Sequence, residues 1–192
     1  GARRILVLGS SGAGKTHFSM RLAEILDLDV IHLDAQPWRP SSDPSLDAEW
    51  REIVSSLSRR ESWIMDGTYE RSLDVRIPHA DAIILLEHTP DRCLARVIER
   101  QKNTNDQPRP DLPAGYVERF DENHRRYVSH YPEVTRPTVL ASIERYGPDK
   151  PVATIHTPEE IEPFLTQLRR AGISRLAHSP FRGECSVGVA VQ

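Results

Sequence analysis

Eight consecutive residues, Gly9-Ser10-Ser11-Gly12-Ala13-Gly14-Lys15-Thr16, match the pattern G-x-x-x-x-G-K-[ST] at every fixed position. Each residue type has a chemical reason to stand where it does. Gly12 and Gly14 let the backbone approach an anion closely and adopt angles closed to other residues. Lys15 reaches the β- and γ-phosphates of a nucleotide, and Thr16 offers a hydroxyl to a magnesium ion. The N-terminus of a following helix would aim its partial positive charge at the same anion. The stretch from Gly9 to Thr16, with Ser10, Ser11 and Ala13 supplying backbone N–H groups, is the expected nucleotide cradle. A dinucleotide fingerprint does not fit, because a G-x-G-x-x-G run opening at Gly12 would need glycine where His17 stands.

Two carboxylates and a set of arginines complete the chemistry. Asp66 ends an apolar run, where a phosphate-loop protein needs an acid near magnesium, although Asp66-Gly67 is also a common turn pair. Asp34 ends another short run. It could take the proton of an attacking hydroxyl, cap a helix, or sit in the magnesium shell. Arg92, Arg96 and Arg100 recur at helical spacing and share a face, positioned to stabilise a phosphoryl group in transfer or to pair with acids on a solvated helix. Arg109, Arg119, Arg125 and Arg126 follow, with the same two readings open. Arg71 and Arg76 could hold an anionic acceptor or lie on the surface. Trp38 could flank the acceptor or cover the core from its loop. His32 shares a side with Asp34 by strand alternation and reads as a core or supporting histidine rather than a metal ligand.

The elements that must position these residues are legible as an alternation of strand and helix. Ile5-Leu6-Val7-Leu8 is a buried strand, and Phe18, Leu22, Ile25 and Leu26 mark a helix after the loop. Residues 29–34 form a second strand, 35–45 a loop, and a helix opening at Asp47 buries Trp50, Ile53, Val54 and Leu57. Residues 62–65 make a third strand, 68–77 a turn or short helix, and 81–86 the fourth strand. Thr89-Pro90 opens a helix with Leu94, Val97 and Ile98 inward. Residues 102–113 lack hydrophobic periodicity and read as a mobile loop or a small lid. Residues 114–146 are helical, broken near Pro132 and Pro137. A fifth strand at 152–155 and a helix over 158–169 follow, the latter turning Ile161, Phe164, Leu165 and Leu168 inward. The expected fold is α/β: a five-stranded parallel sheet with helices on both faces and the ligand rim at the carboxyl ends of the strands. Residues 1–171 form one domain, and 172–192 stand apart as a tail.

Composition bounds the partners. The chain has 192 residues and a formal net charge of −3, which gives no ground for direct nucleic-acid contact. Cys93 and Cys185 form no motif, so a reduced compartment, hence the cytoplasm, is expected. No apolar run is long enough for a membrane span. The few apolar residues after Arg3-Arg4 are too short for a secretion signal. A monomer or weak homodimer is expected.

With these residues in view, the chain resembles the adenylate-kinase-like phosphate-loop kinases. Asp66-Gly67 is similar to that group's Asp-Gly element. The strand Asp81-Ala82-Ile83-Ile84-Leu85-Leu86 followed by Arg96-Val97-Ile98-Glu99-Arg100 looks like its strand and lid-entry arginine pair. The resemblance implies that Arg96 packs on the adenine and Arg100 reaches phosphates. It is closest to the bacterial DNA topology modulation branch, on His32-Leu33-Asp34 with Trp38, on Trp63-Ile64-Met65-Asp66-Gly67-Thr68-Tyr69, and on Arg76 ahead of Ala80-Asp81. It covers roughly residues 3–170. Glu70 stands where adenylate kinases carry an arginine, and the lid has no four-cysteine pattern. The implied activity is ATP- and Mg²⁺-dependent phosphoryl transfer to a small-molecule acceptor, either a hydroxyl or a nucleoside monophosphate. Lys15, Asp34, Arg96 and Arg100 are the catalytic candidates and Thr16 and Asp66 the metal candidates. Asp34, Trp38, Gly67, Arg71 and Arg76 are assigned to the acceptor. The alternative is a nucleotide-dependent ATPase switch or a regulatory protein linked to DNA topology.

Overall fold

In the computed structural model, residues 3–36, 44–103, 111–113 and 120–171 are described. Trp38, Arg109, Arg119, Cys185, the tail and most of the expected lid lie outside them. The strands are β1 (Arg4–Gly9), β2 (Val30–His32), β3 (Trp63–Asp66), β4 (Ala82–Leu86) and β5 (Val152–Ile155). They form one sheet in the order β2-β3-β1-β4-β5, with every pairing parallel. β1, which feeds the phosphate loop, is therefore central. All carboxyl ends point to one rim, as the alternation of strand and helix requires.

The sheet buries both faces. Leu6 and Leu8 pack with Trp50, Val54, Met65, Leu73, Ile77 and Ile143. Ile5 and Val7 point the opposite way, against Phe18, Leu22, Ile64, Cys93, Val128, Leu165 and Leu168. The helices on the first side are α2 (Pro44–Ser58), α3 (Leu73–Arg76) and α6 (Arg136–Tyr146). Those on the second are α1 (Lys15–Leu26), α4 (Pro90–Asn103), α5 (Glu122–Ser129) and α7 (Ile161–Ala171). The period-2 alternation along β1 separates the two cores.

Some boundaries differ from the sequence reading. β2 stops at His32, and Leu33–Ala35 turns into a single 3-10 turn that carries Asp34. The second helix opens at Pro44, three residues before Asp47, because proline fits the first helical turn, where its missing N–H is not needed. The expected break in residues 114–146 is a π-helical turn over Tyr131–Thr135, containing Pro132. Pro137 does not break anything. It sits in the first turn of α6, where a proline is tolerated.

Candidate active site

The phosphate loop is held by contacts that only glycine permits. Gly12 has φ +80°, and a Cβ there would lie 2.2 Å from the Cys93 carbonyl oxygen. Gly14, at φ +87°, caps α1, and a Cβ on it would come within 2.7 Å of the Arg96 guanidinium. Helix α4 thus packs directly against the loop, and Arg96 lies over Gly14. Lys15 Nζ donates to Gly9 O and Ser10 O, both at 2.8 Å. Burial lowers its pKa from the ordinary lysine value, opposed by the charges of Asp34 and Asp66 and reinforced by that of Arg100. Lys15, Asp34, Asp66 and Arg100 therefore share one electrostatic neighbourhood, drawn from four different elements.

β3 delivers the next group. Asp66 is 4% exposed, and its Oδ2 lies 2.7 Å from His32 Nδ1 on the neighbouring β2. Burial alone would depress the His32 pKa. The hydrogen bond to Asp66 and the charges of Asp66, Asp111 and Asp34 outweigh it, so the net shift is upward. His32 is accordingly the support of Asp66, the role left open for it beside a core position. After Asp66 the chain bends at Gly67, with φ +120°. Thr68 Oγ1 then donates to Gly9 O at 2.6 Å and accepts from Gly9 N at 3.1 Å, clamping the start of the phosphate loop to the end of β3.

The acceptor side is built on the same bend. The Tyr69 hydroxyl donates to Asp34 Oδ1. Tyr69 is itself braced by Trp50 of α2, with ring centroids 5.0 Å apart. Its φ of +34° is unusual for a bulky residue, and the bend that sets it aims the hydroxyl at Asp34. Arg71 is exposed and pairs with Asp47 at 3.0 Å. Arg76 corrects the surface reading: it is 0% exposed. Its guanidinium donates to Gly67 O at 2.7 Å, to Thr68 O, and to Tyr69 O at 3.2 Å. Its Nε donates to Ser72 Oγ at 3.1 Å. Burial pulls its pKa down to about 9, so it stays charged at neutral pH. Its donors shape the backbone that carries Gly67, Thr68 and Tyr69.

The remaining arginines separate. Arg96 and Arg100 are half-buried, whereas Arg92 is largely exposed and pairs with Glu159 at 3.5 Å. Arg125 and Arg126 are exposed, with Arg125 stacked 5.1 Å from the Phe120 ring centroid. Two residues absent from the sequence reading touch the loop instead. His124 Nε2 lies 2.7 Å from Ser11 Oγ. Thr16 Oγ1 donates to Asp111 Oδ2 at 3.1 Å, and Asp111 is 3% exposed. Neither sits at a strand end or belongs to the arginine series, so no spacing in the sequence marks them out.

The arrangement brings Lys15, Thr16, Asp34, Asp66, Arg96 and Arg100 to a single rim. Among the described residues no three His, Cys, Asp or Glu side chains form a metal cage. The donor set at the loop, a hydroxyl with one or two carboxylates, suits magnesium. That ion keeps waters and phosphate oxygens for its remaining positions rather than an all-protein cage.

No protein-family model matches the chain, and no curated protein matches it. Solved structures do. A shikimate kinase from Acinetobacter baumannii in complex with shikimate is 15% identical, with a TM-score of 0.59 over 90% of this chain and 94% of that one. A gluconokinase from Sinorhizobium meliloti 1021 is 18% identical, with a TM-score of 0.52 over 91% and 93%. A deoxyadenosine kinase from M. mycoides, with products dCMP and a flexible dCDP bound, is 13% identical, with a TM-score of 0.52 over 86% and 98%. The chain shares its fold, the expected five-stranded parallel sheet with helices on both faces, with these three kinases. Among the described residues no helix is long and apolar enough to cross a membrane.

Proposed function

We propose that the chain is a cytoplasmic, ATP- and Mg²⁺-dependent phosphotransferase acting on a hydroxyl of a small, anionic acceptor. The observation that carries the reading is Asp34, held by the Tyr69 hydroxyl at the carboxyl end of β2 and close enough to Lys15 to oppose its loss of charge. A phosphate acceptor is already ionised and needs only cations. A hydroxyl gains from a positioned carboxylate. Asp34 is the base, with Tyr69 fixing which oxygen faces the acceptor.

Lys15 and the loop amides hold the donor phosphates, and Arg96 and Arg100 cover the transferring group from α4. Thr16 and Asp66 would hold magnesium, which, when bound with ATP, neutralises charge across the β- and γ-phosphates. Arg71, on the exposed rim next to Asp47, takes the acceptor's anionic group. Arg76 acts at one remove, through the carbonyls of residues 67–69. The motif residues around His32, Trp63 and Asp66 support kinship with the topology modulation branch. A hydroxyl acceptor also agrees with the absence of an arginine at Glu70.

Asp34→Asn tests this. It should lower kcat by on the order of 10²–10⁴ and leave ATP affinity nearly unchanged, since only the base is lost. A phosphate-transfer screen against nucleotides, sugar acids and aminocyclitols supplies the acceptor. Weakened Mg·ATP binding with kcat spared would move Asp34 into the metal shell. AMP as the best acceptor would make the chain an adenylate kinase variant and end the hydroxyl reading.

A further inference from the structure

The acid that receives the phosphate-loop hydroxyl does not come from the sheet. Asp66, at the end of β3, is turned to His32 at 2.7 Å. Thr16 Oγ1 donates to Asp111 Oδ2 at 3.1 Å. Asp111 stands between α4 and α5 and is 3% exposed, so the chain buries an acid against its own phosphate loop. Within that same stretch of chain, α5 brings His124 Nε2 to 2.7 Å from Ser11 Oγ. Two side chains from beyond α4 therefore grip the loop at two of its residues.

The direction of the Thr16 hydrogen bond matters. A hydroxyl has one proton and two lone pairs. With the proton committed to Asp111, both lone pairs face away from that carboxylate and are available to a cation. A hydroxyl plus nearby carboxylates, with phosphates and water completing the shell, is the donor set magnesium takes.

We propose that Asp111 is the carboxylate that orients Thr16 toward the divalent cation of a nucleotide–metal complex, so that metal-assisted nucleotide binding requires the Asp111 carboxylate at Thr16. The proposal rests on the reading of the chain as an ATP-dependent phosphotransferase. It adds Asp111 to Thr16 and Asp66 and makes Asp111 a positioning residue that acts through Thr16. It also couples the two, because a ligand that needs Asp111 at Thr16 stabilises the state in which that contact is made.

The test is calorimetric titration of the full chain with ATP, once with excess Mg²⁺ and once with EDTA. The ratio of the two Kd values measures how much the metal assists binding. Asp111→Asn should shrink that ratio by about 10–100-fold, the usual loss when a partner that orients a metal ligand is removed. Affinity in EDTA should hold or improve, since a negative charge beside the phosphates is gone. A merely structural Asp111 would weaken both titrations alike, which overturns the proposal, as does an unchanged ratio.

A second readout does not depend on any variant folding. With Mn²⁺·ATP bound to the wild-type chain, the amide signal of Leu112 should broaden as strongly as that of Thr16. If Leu112 stays sharp, Asp111 is not at the metal. A wild-type chain that binds ATP equally with and without Mg²⁺ overturns the proposal alone. Failure to bind ATP at all overturns the kinase reading with it.

Discussion

Lys15 is a half-buried ammonium whose two shortest contacts are carbonyl oxygens of its own loop, Gly9 O and Ser10 O at 2.8 Å. Burial disfavours its charge, and Asp34 and Asp66 restore part of it. A nucleotide's phosphates would supply the stronger counter-charge and draw Nζ off the carbonyls. Lys15→Ala removes that one cation and little of the apolar core. It should cut turnover by on the order of 10²–10³, the cost of losing one charge-stabilising donor in a preorganised site. The far-UV circular dichroism spectrum should be unchanged. Phosphoryl transfer at the wild-type rate would contradict the assignment of residues 9–16 as the nucleotide cradle. At the same scale, Arg76 shows what sequence cannot disclose. Its spacing from Asp66 suggests a charge aimed at a ligand, yet its guanidinium is spent on backbone carbonyls of Gly67, Thr68 and Tyr69. Nothing in a linear pattern separates an arginine that meets solvent from one that meets carbonyls.

At the scale of elements, the site depends on how α4 docks on the loop. Gly12 is where they meet, with the Cys93 carbonyl 2.2 Å from the place a Cβ would take. Its φ of +80° adds a second penalty for any L side chain. Gly12→Ala should cost about 1–2 kcal/mol for the left-handed backbone and a further 1–3 kcal/mol or so for displacing α4. Thermal unfolding should then fall by roughly 4–20 °C, at about 2–4 °C per kcal/mol for a chain of this size. ATP affinity should fall with it, because Arg96 on α4 moves as the helix does. An unchanged Tm in a melting experiment would mean that α4 does not pack on the loop as described. The loop and both cores are legible in sequence because glycine spacing, strand alternation and helical periodicity each encode a backbone requirement. The bend after β3 is not. Thr68 clamps Gly9, and Tyr69 aims at Asp34, only once a positive φ at Gly67 and Tyr69 has turned the chain. Asp111 was hidden for a related reason. It lies in a stretch with no periodicity, so only three-dimensional proximity to Thr16 distinguishes it from the other acids of the chain.

Over the whole molecule, the sheet order puts β1 at the centre with β3 and β4 on either side. One consequence reaches beyond catalysis. Just past β4, between the exposed Thr89 and the partly exposed Glu87, the chain buries a histidine. His88 is 7% exposed, and neither of its ring nitrogens has a hydrogen-bond partner among the described residues. Burial lowers its pKa from the ordinary 6.5. The positive charges of Arg96 and Arg92 lower it further, and Glu159 and Glu160 oppose them. In the unfolded chain the ring takes up a proton as pH falls through about 6.5, the unperturbed value. In the folded chain it resists until a lower pH. Between those two points the unfolded state binds more protons, so stability rises with pH and is lost on acidification. His32 works the other way: its raised pKa contributes stability that is complete below 6.5 and disappears as pH rises through the folded value. The two histidines thus act on opposite sides of pH 6.5 and can be separated by substitution. His88→Leu removes the proton-binding difference and two orphaned polar atoms together. Urea midpoints of this variant measured from pH 5 to 8 should lose most of the decline that wild type shows below pH 6.5, and the variant should be at least as stable as wild type at the acid end. If the acid decline persists undiminished in His88→Leu, the buried ring is not what titrates, and the acid sensitivity of the fold lies in its carboxylates instead.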